Sequence, residues 1–283
     1  MPDKDMPPAA ATHNAEHDGA ESRFRSSPFY AALDGALKRR GMKIESVCDL
    51  RDVIARRLLA EYGAMFLATE RVLVPPCCVF QGEEEVARFQ QQAGVHEAAL
   101  GAQLVELQPA AMEALLAACD EAARVGLTVT PRGGAEAARR SYADTLRLWD
   151  SRFQPALEHW TTLGELAGEE AARLRSLAPA RQMAEVLTLE EQELFFSKDF
   201  SKSILYSVAA PGASQHLSLL AFDVAEFQEP AVRAALKRHG WHQTVRSDLP
   251  HFTFLGIREK ELPDIGLKPI AAHGQQFWIP NVN

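Results

Sequence analysis

The chain is 283 residues long, enough for one large domain or two small ones, and its 47% hydrophobic and 24% charged residues are ordinary globular values. Thirty Lys and Arg against 38 Asp and Glu give a net charge of −8, a field that repels nucleic acid and anionic membrane and argues against either as a partner. No apolar run reaches the length of a membrane span, and Cys48, Cys77, Cys78 and Cys119 lack the Cys-x-x-Cys spacing of a thiolate metal site.

Residues 1–26 are rich in Ala, Pro, Asp, Glu and His; they cannot bury enough apolar surface to offset ordering entropy and read as a disordered tail. His13 and His17, four apart, imitate a helical metal pair but read as solvated groups of that tail. The start Met1-Pro2-Asp3-Lys4-Asp5 lacks the basic and apolar regions of a signal peptide, so the chain as written is expected to stay where it is made.

The segment 27–104 reads as a mostly helical extension. Apolar residues recur at helical steps through Phe29-Tyr30-Leu33-Leu37 and through Leu50-Val53-Ile54-Leu58-Leu59. Ala64-Met65-Phe66-Leu67 and Val72-Leu73-Val74 are expected to be strands or extended segments, the second stopped by Pro75-Pro76. Acidic residues open a helix from Glu83 to Gln92.

Residues 105–283 carry the chemistry. Pro109 to Arg124 predicts an amphipathic helix, Leu127-Thr128-Val129-Thr130 a short strand, and 135–175 long helical stretches with a core stripe of Tyr142, Leu146, Trp149, Phe153, Leu157 and Trp160. Arg139-Arg140 and Lys237-Arg238-His239 read as solvated helix faces, and His239 and His242 as surface groups. Extended runs then alternate with a helix from Pro230 to His239. The expected class is α+β, a small antiparallel sheet with helices.

The most specific pattern is Pro211-Gly212-Ala213-Ser214-Gln215-His216, then Asp223, then Asp248-Leu249-Pro250-His251. Two histidines and an aspartate form a three-ligand set that leaves a fourth position open on a zinc ion, as in catalytic rather than structural sites. His216 and Asp223 are seven apart, so one uninterrupted strand would put them on opposite faces, and a bend between them is required. His216 is expected on the loop after Pro211-Gly212, Asp223 in the apolar run Leu219 to Val224, and His251 at the start of a second run ended by Gly256.

This pattern resembles the zinc D-alanyl-D-alanine carboxypeptidase and dipeptidase family, which includes vancomycin-resistance peptidases and phage endolysins and shares its zinc-site fold with the Hedgehog signalling domain. The family run Ser-x-His-x-x-Gly-x-Ala-x-Asp falls on Ser214, His216, Ala221 and Asp223, and the closing histidine on His251. The resemblance covers roughly the C-terminal 180 residues. It implies Zn²⁺ held by His216, Asp223 and His251, a substrate-binding arginine at Arg132, a polar contact from Ser214, and a peptide or peptidoglycan substrate, which lies in the cell envelope. Two positions depart from it. Leu219 stands where the family has glycine, and Asp248 stands where it has the catalytic glutamate, with a reach shorter by about 1.5 Å, one C–C bond. A zinc-stabilised binding module that has lost hydrolysis, and a zinc hydrolase of another amide, therefore stand beside the peptidase reading. No sequence feature fixes the oligomeric state.

Overall fold

The computed structural model describes residues 27–283. The expected tail, with His13 and His17, lies outside the described residues. Helix α1 (Pro28–Arg39) starts where Ser27 accepts a hydrogen bond from the Tyr30 amide and where a proline fills the first turn. It buries the expected face of Phe29, Tyr30, Leu33 and Leu37. A short α2 (Ile44–Val47) leads to α3 (Val53–Tyr62), capped by Asp52, so Leu50 precedes the helix rather than opening it.

Neither of the two runs expected next as strands or extended segments forms a strand. Gly63–Leu67 is a buried 3₁₀ turn, and residues 72–74 run without a ladder. Side chains take the place of a neighbouring strand. The Arg40 guanidinium donates to the carbonyls of Ala68, Thr69 and Val72, and the Gln108 amide both accepts from and donates to the backbone of Leu73. Backbone groups satisfied in this way need no sheet.

Helix α4 (Glu83–Ala93) appears as expected. It is followed by an antiparallel hairpin that the periodicity did not reveal, β1 (His96–Leu100) with β2 (Gln103–Leu107). Then come α5 (Pro109–Ala123), α6 (Tyr142–Leu163), α7 (Gly168–Ser176) and α8 (Pro179–Glu190). A reciprocal capping box of Ser141 and Asp144 fixes the start of α6. The strand expected over 127–130 is reduced to one bridge between Pro131 and Val224. Pro131 has no N–H to extend a ladder, and Glu226 bonds the amide and hydroxyl of Thr130 instead.

The sheet that matters joins β3 (Ala221–Asp223), β4 (Trp241–His242) and β5 (His251–Phe254) in the order β3-β5-β4, all antiparallel. Helix α9 (Pro230–Arg238) connects β3 to β4, and a terminal hairpin pairs β6 (Leu267–Ala272) with β7 (Gln275–Pro280). The architecture is α+β. One core cluster runs from Phe29, Leu33 and Leu37 through Leu107 and Met112 to Phe222, Phe252 and Trp278, so residues before 104 pack into the same core as the central sheet. A second cluster gathers Trp149, Phe153 and Leu157 of the expected α6 stripe against Val186 and Phe196. His242 is a correction to the surface expectation. It is fully buried in β4, where its Nε2 lies 2.8 Å from the Ile257 carbonyl oxygen.

Candidate metal centre and its cleft

The loop before His216 is pinned by close backbone approach. Gly212 has φ +75°, and a Cβ there would lie 2.1 Å from the Phe80 carbonyl oxygen, so only glycine fits. Phe80 donates its amide to the Gly212 carbonyl, and the Gly212 amide donates to Thr145 Oγ1 on α6. The chain then makes a 3₁₀ turn, Gln215–Ser218, that carries His216. The bend demanded by the odd spacing is taken at Leu219, which is left-handed at φ 58° and ψ 27°. That conformation is one that glycine adopts freely, so leucine takes it at a conformational cost. Asp223 ends β3 and is the register partner of His251 on β5.

Three ligand atoms converge. His216 Nε2 lies 3.1 Å from His251 Nδ1 and 3.3 Å from Asp223 Oδ1, and His251 Nδ1 lies 3.1 Å from the same oxygen. Ligands about 2.0–2.1 Å from a tetrahedral ion are separated by roughly 3.3 Å, so the group could hold a metal ion. Protonation strengthens the case. Gln215 Nε2 donates to the Tyr62 carbonyl, which turns Oε1 toward His251 Nε2 at 2.8 Å. His251 Nε2 is then a donor to Gln215, and Nδ1 is the ring nitrogen turned toward Asp223 and His216. His216 donates from Nδ1 to the Ala138 carbonyl at 3.2 Å, which bares its Nε2. Two ring nitrogens and a carboxylate oxygen thus face one another, an arrangement that a cation stabilises, and each imidazole is oriented by an outer acceptor as in metal sites.

The electrostatics agree. Burial lowers the His216 pKa to about 4, with Arg140 and His251 acting in the same direction and outweighing the opposing pull of Asp223, so the ring is neutral at pH 7. Burial would raise the Asp223 pKa, but His216 and His251 outweigh it and hold the carboxyl well below the usual range. Its second oxygen, Oδ2, receives Arg140 Nη2 at 2.8 Å. Asp248 lies in the same cleft, its pKa raised by burial and then by the charge of Asp223, against the opposing pull of His251, Arg140 and Arg132.

The cleft has a volume of about 200 Å³. It is lined by His216, His251, Ser214 and Asp248 and by one face of α6, with Tyr62 and Tyr206 also on its walls. Of the residues expected at the site, His216, Asp223, His251, Ser214 and Asp248 are brought together. Arg132 is not. Its backbone amide bonds the Asp223 carbonyl, but its side chain is exposed and stacks over Phe227, 5.2 Å from the ring centre. Arg140 occupies the cleft instead, a correction to the reading of Arg139-Arg140 as a solvated face. Arg139 is also engaged, with Glu106 and Gln90. Arg140 and Gln215 are the site residues the sequence reading missed; adjacency of Gln215 to His216 was the available signal for one, and the other had none short of its fold partner. Comparison of the chain with protein-family models, with curated proteins and with solved structures finds no match.

Proposed function

We propose that the chain is a zinc-dependent peptidase that hydrolyses D-Ala-containing peptides, with peptidoglycan stem peptides as its substrates. The observation that carries the reading is the convergence of His216 Nε2, His251 Nδ1 and Asp223 Oδ1 beside a cleft whose lining includes both histidines, an acid and an arginine. An N/O set of this kind suits zinc. Bound zinc would supply Lewis-acid polarisation of the scissile carbonyl and would lower the pKa of the attacking water. Asp248 takes the proton of that water and returns it to the departing amine, and burial and the charge of Asp223 raise its pKa in the direction that such a group needs. Arg140 holds Asp223 in place and presents its remaining donors to charge developing on the substrate. Ser214 offers a polar contact beside them.

The test is zinc-loaded protein incubated with defined stem peptides and intact peptidoglycan, with new termini identified by mass spectrometry. Cleavage by the wild type that falls roughly 10²–10⁴-fold in Asp248→Asn, with zinc retained, is the expected result. A nearly inactive wild type that gains activity as Asp248→Glu would establish the other reading, a zinc-stabilised module whose shortened carboxylate no longer reaches the water. Robust hydrolysis indifferent to Asp248→Asn would remove Asp248 from the mechanism.

A further inference from the structure

Two arginines line the cleft, and they are not equivalent. Arg140 is committed to Asp223 at one end. Arg152 is half-buried on α6 and meets no carboxylate among the described residues. Its Nη1 donates to the backbone and hydroxyl oxygens of Ser151, and its Nε–H is buried without an acceptor. A guanidinium partly withdrawn from water and short of acceptors is a receptor for an anion, and carboxylate is the shape its forked donors fit. The net charge of −8 disfavours acidic ligands at long range, so a cation left unpaired inside the cleft is a local reversal of the protein's field.

Helix α6 also measures where that anion sits. Thr145, Leu148 and Arg152 follow one another along the cleft at helical spacing, and Thr145 marks the metal end because it receives the Gly212 amide beside the His216 turn. Seven residues at 1.5 Å per residue place Arg152 about 10 Å farther along. An extended peptide covers that distance in about three residues, and the backward tilt of helical side chains shortens it toward two. We propose that Arg152 binds a free carboxylate of the substrate two to three residues from the cleaved bond, so that the cleft selects acidic peptides over their amidated counterparts. The inference rests on the peptidase reading of the same cleft.

The experiment compares peptides ending in D-Ala-D-Ala that carry Glu or Gln at the second or third position from the cleaved bond. Each is measured for turnover and, by calorimetry on the zinc-loaded full-length protein, for binding. The wild type is expected to favour the carboxylate at one of these positions by about ten- to a hundredfold, the usual range for a charge-assisted pair, and to do so through KM. Arg152→Met should bring that preference within twofold of unity with kcat nearly unchanged, and Arg152→Lys should restore part of it. A preference that survives in Arg152→Met, or equal losses on Glu and Gln peptides, would overturn the assignment. If no peptide is cleaved, the peptidase reading fails on its own. The binding preference and its loss in Arg152→Met then decide the role of Arg152 separately, and absence of any carboxylate preference in binding overturns it.

Discussion

At the scale of single residues, the two arginines near Asp223 give the sharpest contrast. Arg140 reaches the carboxylate with its side chain, whereas Arg132 meets only the backbone carbonyl of Asp223, through its amide, and sets its guanidinium over an aromatic face. Arg140→Ala is expected to lower kcat/KM on a cleaved peptide by about 2–4 kcal/mol, the scale of a lost transition-state donor. Arg132→Ala should change it less than threefold. Steady-state kinetics on both variants separates them, and the reverse order would return the role to Arg132. The group of His216, Asp223 and His251 was legible from residue types and from the resemblance of the run that follows Pro211-Gly212, and the three side chains do come together. Arg140 was not, since its partner lies 83 residues away and an Arg-Arg pair beside a helix start looks the same whether solvated or engaged.

At the scale of elements, Leu219 decides how the His216 turn enters β3. A left-handed leucine costs roughly 1–2 kcal/mol, yet the side chain is fully buried, and its burial outweighs the strain. Leu219→Gly removes both the strain and the packing, while Leu219→Ala removes only the packing. Alanine should therefore destabilise more than glycine here, by about 1 kcal/mol, the opposite of their order in regular structure. Denaturant unfolding of the two variants reads this directly, and glycine proving the worse would show that the bend is not held at Leu219. The elements themselves were uneven in legibility. Helices with periodic apolar faces or clear first-turn signals, such as α1, α4 and α5, could be read, whereas apolar runs such as Ala64-Met65-Phe66-Leu67 could not. A short run buried on all sides has no period to distinguish turn from strand, and the side chains of Arg40 and Gln108 that settle the backbone bonding nearby come from distant sequence.

At the scale of the whole molecule, the site links stability to acidity. In the metal-free protein His216 has its pKa lowered to about 4, against about 6.5 in an unfolded chain. Between those values the unfolded state takes up a proton that the folded state refuses. The stabilisation held above about pH 6.5 is lost as the pH falls toward 4, by on the order of 3 kcal/mol. Melting of chelator-treated protein should fall by roughly 10 °C across that window, and His216→Asn should flatten the fall. A melting temperature independent of pH over the same range would mean that His216 is not held neutral by its surroundings.

The central claim is that His216, Asp223 and His251 form one metal centre and that the metal is zinc. Calorimetric titration of zinc into metal-free full-length protein tests it most directly. Close to one tightly bound ion per chain is expected, with binding largely abolished in His216→Ala and in His251→Ala and retained in Asp248→Asn, because that carboxylate is assigned to the water and not to the ion. Full zinc binding in both histidine variants, or none in the wild type, would contradict it.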